Sequence, residues 1–148
     1  MPKCAVAGGR FVEAGLRVYP EAGEDNRLLV DGLLGASEIY QFSFDTDLIV
    51  LNACSTASGD GTPGDVGFSG LTSAFLEVGA RNLLVSQWDV SVESSQRLVN
   101  LFMRRLDRGL ARALRDAMID IRREYWHPAH WAPFVVVGDG NYIVRLSR

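Results

Sequence analysis

The stretch Asp47-Leu48-Ile49-Val50-Leu51-Asn52-Ala53-Cys54-Ser55-Thr56-Ala57-Ser58-Gly59 decides the fold. Asp47 to Ala53 is apolar and rich in branched side chains, without the alternation of a half-exposed strand. It reads as a strand buried on both faces. A polar, glycine-bearing loop follows. Downstream, Leu71, Phe75 and Val78 fall at helical spacing within Phe68–Val78, and Gly79 stops that helix. Asn82 to Trp88 is a second buried strand. Strand, helix and strand within about 40 residues form a βαβ unit with parallel strands.

Further out, Val92 to Leu106 carries Leu98, Val99, Leu101, Phe102 and Leu106 on one side, and Asp107-Arg108-Gly109 interrupts the pattern. Leu110, Ala113, Leu114, Ala117, Met118 and Ile121 then recur at threes and fours, an amphipathic helix. Its outer charges, Arg112, Arg115, Asp116, Arg122 and Arg123, read as a solvated face. His127-Pro128 ends the helix, and Ala132 to Val137 is a third strand. Asp139-Gly140 predicts a tight turn that pairs Phe134–Val137 with Tyr142–Leu146. Upstream, Ala36 to Gln41 reads as a short helix with Ser37 near its start, and Leu28-Leu29-Val30 as a short strand. The first 35 residues, with glycines and an acidic patch at Glu21, Glu24 and Asp25, are the least readable. The order β-α-β-α-α-β predicts one α/β domain over residues 1–148, with a mainly parallel sheet.

Composition narrows the function. The chain has 148 residues, 47 % hydrophobic and 22 % charged, which suits a soluble domain able to bury its own core. Its net charge of −3 offers no broad basic face for nucleic acid. Leu48–Leu51 and Phe134–Val137, the apolar runs, are far short of the roughly 20 residues that span a bilayer. The first nine residues lack the apolar segment of a secretory signal. Two cysteines, Cys4 and Cys54, are too few for a disulfide framework, so a reducing, cytoplasmic setting is expected.

Ligands of open α/β sheets sit beyond the carboxyl ends of the strands. Parallel neighbours would bring Cys54 and Asp89 to one such edge. A thiol and a carboxylate there suit a cysteine nucleophile beside an acidic specificity pocket, provided something lowers the thiol pKa. The plainer readings are a small buried cysteine and an aspartate that starts a helix. Gly59-Asp60-Gly61-Thr62-Pro63-Gly64 satisfies G-x-G-x-x-G, but Asp60 and Asp65 would repel a pyrophosphate and Pro63 removes an amide donor, so no nucleotide cofactor is expected. His127 and His130, the only histidines, lack a third ligand of suitable type nearby, and no metal is expected there. They read as parts of a structural turn around which Trp126, Trp131 and Phe134 pack.

Four ordered segments resemble one family. Asp31-Gly32-Leu33-Leu34-Gly35-Ala36-Ser37-Glu38-Ile39 resembles its segment before the nucleophile strand, and Asp47–Ala57 the strand and cysteine motif itself. Phe68–Arg81 resembles the helix that follows. Ser86-Gln87-Trp88-Asp89-Val90 resembles the end of the next strand, and His127–Gly138 the last one. Residues 31–140 thus resemble the C-terminal portion of a CHAT domain, a caspase- and separase-like cysteine peptidase domain often joined to helical repeats. The resemblance implies a three-layer αβα sandwich, Cys54 as the nucleophile of an endopeptidase, and a protein or peptide substrate. By analogy with separases it also implies that Asp89 favours arginine or lysine before the scissile bond.

The same resemblance implies a catalytic histidine on an earlier strand, in a segment like Ala-Thr-His. No histidine precedes His127. Met1 falls about where that segment ends in the family pattern, and Pro2-Lys3-Cys4-Ala5-Val6-Ala7-Gly8 resembles the residues around it. The first strands of the sheet are accordingly expected to be missing, leaving an open edge for self-association or a protein partner. Two accounts follow: a fragment of a longer peptidase, or a non-catalytic interaction remnant of one.

Overall fold

The computed structural model describes residues 4–11, 15–17, 33–53, 70–88 and 90–144. The strands are β1 (Cys4–Phe11), β2 (Gly15–Arg17), β3 (Leu33–Gly35), β4 (Leu48–Ala53), β5 (Leu83–Ser86) and β6 (Phe134–Val137). The helices are α1 (Ala36–Ile39), α2 (Gly70–Glu77), α3 (Val92–Met103) and α4 (Leu110–Glu124), with 3₁₀ turns at Leu106–Arg108 and Pro128–His130. They form one six-stranded sheet in the order β3-β2-β1-β4-β5-β6. The α/β class expected from the sequence is therefore observed.

The central apolar run behaves as its composition requires. Leu48, Ile49, Val50 and Leu51 are all buried, and period-two geometry sends them to opposite faces. Leu48 and Val50 join Leu84, Phe134 and the inner sides of α3 and α4 in one core. Ile49 and Leu51 join Leu83, Val85, Ile39, Leu71, Ala74 and Phe75 in the other. Helices thus cover both faces of the sheet. The helix α2 returns the chain to β5 parallel to β4, with Val50 beside Leu84 and Leu51 beside Val85.

Gly79 closes α2 in a Schellman arrangement, Ala80 N–H bonding Phe75 O and Gly79 N–H bonding Leu76 O. Its φ is +106°, and a Cβ there would lie 2.0 Å from the Phe44 carbonyl oxygen. Only glycine fits that turn.

Three expectations need correction. The sheet is mixed rather than mainly parallel: β1–β4 and β4–β5 are parallel, whereas β1–β2, β2–β3 and β5–β6 are antiparallel. The reversal at β6 follows from helix number. One helix carries the chain back across the sheet, but two antiparallel helices, α3 and α4, return it to the edge it left.

The second correction concerns where the sheet is open, which is not along β4. The strand β4 has no open flank, because β1 lies along it from Cys4 beside Leu48 to Gly9 beside Ala53. The outermost described strands are β3, of three residues, and β6, of four, and such short edges expose few unpaired backbone groups.

Third, Asp139-Gly140 makes its turn, with Tyr142 N–H bonding Asp139 O at 3.0 Å, but residues 142–144 do not pair with β6. Their carbonyls have other work. Gly140 O and Tyr142 O accept from Ala111 N–H and Leu110 N–H, satisfying the open amides at the start of α4. The proposed Leu28–Val30 strand lies outside the described residues.

At the amino edge of β4 and β5, a polar cluster fixes the register. Arg81 reaches Asp47 at 2.6 Å and Asp45 at 3.0 Å, and the Tyr142 hydroxyl donates to Asp47 at 2.6 Å. Buried Asn82 donates to Asp47 O and accepts from Asp139 N–H. The polar groups that pin the sheet thus sit at the end opposite the chemistry expected of it.

Candidate active site

At the carboxyl edge of the parallel strands the described chain leads up to the residues singled out above. The strand β4 delivers the chain to Cys54, the residue after Ala53. Its parallel neighbour β5 delivers Ser86-Gln87-Trp88 to the same edge. Cys54 and Asp89 themselves lie outside the described residues, as does the loop with the G-x-G-x-x-G pattern. The strands that precede them in the chain, β4 and β5, are parallel neighbours, as the sequence predicts.

The segment before Asp89 is held from the β6 side. Gln87 N–H bonds Pro133 O at 2.9 Å, and Trp88 Nε1 donates to Ala129 O at 3.4 Å. Trp88 keeps 39 % of its surface exposed. Since β6 begins opposite Ser86, the Pro128–His130 turn stands at this same edge.

Both histidines are engaged in that turn. His127 Nδ1 accepts from Ala129 N–H at 3.2 Å. His130 Nδ1 shares a 3.2 Å hydrogen bond with Ser94 Oγ, and its ring lies 4.9 Å from that of Tyr125. Glu93, through its hydrogen bond to Tyr125, is the main cause that raises the Tyr125 phenol pKa above its ordinary value, with burial adding to it. Among the described residues, no three histidine, cysteine, aspartate or glutamate side chains converge as metal ligands.

Phe134 is buried and Trp131 half-buried against the α3–α4 core, as the packing reading requires. Trp126 departs from it. The residue is 81 % exposed and meets the edge of His127 at 5.3 Å. The helix α4 ends at Glu124, and Tyr125 adopts an extended backbone that sends consecutive side chains to opposite sides. Tyr125 takes the inner side and Trp126 the outer.

Sequence reasoning missed β1. Small residues and glycines in Cys4-Ala5-Val6-Ala7-Gly8-Gly9 give little strand signal. Yet this strand runs parallel to β4 with Gly8 beside Asn52 and Gly9 beside Ala53, next to the cysteine segment.

A family comparison fits this arrangement. The CHAT domain model matches residues 15–139, from β2 to the turn after β6. The chain belongs to the CHAT family. Among curated proteins, this CHAT chain is similar to tetratricopeptide repeat protein 28 of Mus musculus, with 32 % identity over 132 residues, covering 83 % of the chain. The Homo sapiens protein of the same name is 31 % identical over 132 residues. The CHAT chain spans about 5 % of the length of these relatives.

Proposed function

We propose that this domain has the caspase-like, three-layer form of its family and acts by holding polypeptide segments at the carboxyl edge of its sheet. In this reading Cys54 stands in the nucleophile position. Asp89 takes the arginine or lysine side chain, because a carboxylate and a guanidinium form a bidentate, charge-assisted pair. Binding rather than cleavage is favoured by one observation. Among the described residues, both flanks of β4 are filled, by β1 and β5, neither strand carries an imidazole, and the two imidazoles at this edge are engaged through Nδ1 in the Pro128–His130 turn. A cysteine without a base keeps its thiol mostly protonated, and a general base ordinarily contributes about 100- to 10,000-fold. The match to a tetratricopeptide repeat protein supports an interaction role, since such repeats form extended binding surfaces.

A second reading, a working cysteine endopeptidase, draws on the family match that runs across Cys54. There the Cys54 thiolate would attack the carbonyl carbon of the basic residue itself. The amine would leave with a proton, and water would hydrolyse the thioester.

One experiment separates the readings. Arginine-, lysine- and leucine-containing peptides are titrated by fluorescence anisotropy and followed for cleavage. Expected are binding of the basic peptides without turnover, and a selective loss of that binding in Asp89→Asn. Turnover that Cys54→Ala abolishes would establish the peptidase instead. Equal losses across all three peptides in Asp89→Asn would refute its selecting role.

A further inference from the structure

The outward side of the α3–α4 pair carries a groove of about 410 Å³. It is lined by Arg97 and Leu101 of α3, Arg104 just beyond it, and Asp120, Arg123 and Glu124 of α4. Leu98, Val99 and Phe102 occupy the opposite, inner side of α3 and pack on the sheet. The groove is therefore separate from the carboxyl edge, and nothing about it depends on Cys54 or Asp89.

Its two carboxylates are already committed. Glu124 holds Arg97 at 2.6 Å, while Asp120 is shared by Arg105 at 2.5 Å and Arg123 at 3.1 Å. Arg104 is exposed and has no ion pair among the described residues. Beside the groove, Arg105 Nη1 is buried without a hydrogen-bond partner. Guanidinium groups here outnumber the carboxylates that could hold them. The imbalance extends along both helices: residues 92–124 contain eight arginines and five acidic residues, within a chain of net charge −3.

We propose that this groove binds an acidic segment of a partner polypeptide, with Arg104 and Arg123 taking its carboxylates. The planar guanidinium fork matches a carboxylate in two parallel hydrogen bonds. A furrow between antiparallel helices, lined by Leu101 as well as by arginines with aliphatic stems, accepts a peptide lengthwise. A long polyanion such as nucleic acid would meet the net negative charge of the whole chain, whereas a short acidic segment meets only the local cations.

The test uses the full chain and a labelled peptide of Glu-Ala-Ala-Glu repeats, with its glutamine counterpart and a DNA duplex for comparison. Anisotropy is expected to show binding of the glutamate peptide alone, weakening with salt. Arg104→Glu should weaken it about tenfold or more, as loss of a close charge pair does. Arg112→Glu makes the same charge change about 12 Å along α4 from Asp120 and should weaken it less than about twofold. Neither arginine has an ion pair among the described residues, and melting curves check that both variants remain folded. No binding of the glutamate peptide, equal weakening in the two variants, or tighter binding of the duplex would each overturn the proposal.

Discussion

Asp47 shows how a single residue couples distant parts of the chain. It holds Arg81 from the start of β5 and Tyr142 from the segment after β6. The Tyr142 phenol is raised above its ordinary value, first by its hydrogen bond to Asp47, then by burial and the Asp47 charge, with Arg81 opposing. The protonated phenol is the form that donates. Its contribution to stability is therefore whole below the unfolded phenol value of about 10 and is lost as pH rises through the higher folded value. Thermal midpoints measured from about pH 8 to about pH 11 should fall on the alkaline side, and Tyr142→Phe should make that fall shallower. An unchanged alkaline slope in Tyr142→Phe would remove the bond from the account. None of this was legible in the sequence, because Asp47 and Tyr142 are 95 residues apart and only the fold brings them together.

At the scale of elements, stability is concentrated where α3 and α4 meet the sheet. Phe102 is fully buried there, among Leu84, Leu98, Leu110 and Phe134. Phe102→Ala should cost about 3–5 kcal/mol in urea unfolding, since the ring leaves a cavity its rigid neighbours cannot close. A loss under about 1 kcal/mol would mean the core there collapses freely. The elements near this core were also the most readable. Periodicity located α3 and α4 because each buries one face, and β4 and β5 declared themselves by continuous apolar runs. Two features were not readable for physical reasons. The direction of β6 is set by an even number of intervening helices, so the Phe134–Val137 run looks the same either way. Residues 142–144 do not take up the expected strand, because the Gly140 and Tyr142 carbonyls serve the first turn of α4, a contact with no local signature. The strand β1 escaped because small residues and glycines carry no strand propensity, although pairing with β4 makes them one.

For the molecule as a whole, the sheet separates its work by edge. The amino edge carries the Asp47, Arg81, Asn82 and Tyr142 cluster that fixes register. The carboxyl edge receives the cysteine segment and the Trp88 segment, with both histidines bound into a neighbouring turn. The positions of Cys54 and Asp89 after two parallel strands made them candidates, but only the family resemblance gave them roles, since a lone thiol and a lone carboxylate mean little by themselves. What the sequence could not supply was the neighbour of β4, and that neighbour decides the chemistry proposed for Cys54. The most direct test is the pH dependence of Cys54 alkylation, resolved from Cys4 by mass spectrometry. The account predicts an ordinary thiol titrating near about 8.5. An apparent pKa well below that value, accompanied by cleavage of arginine peptides, would contradict it and require a base that activates the thiol.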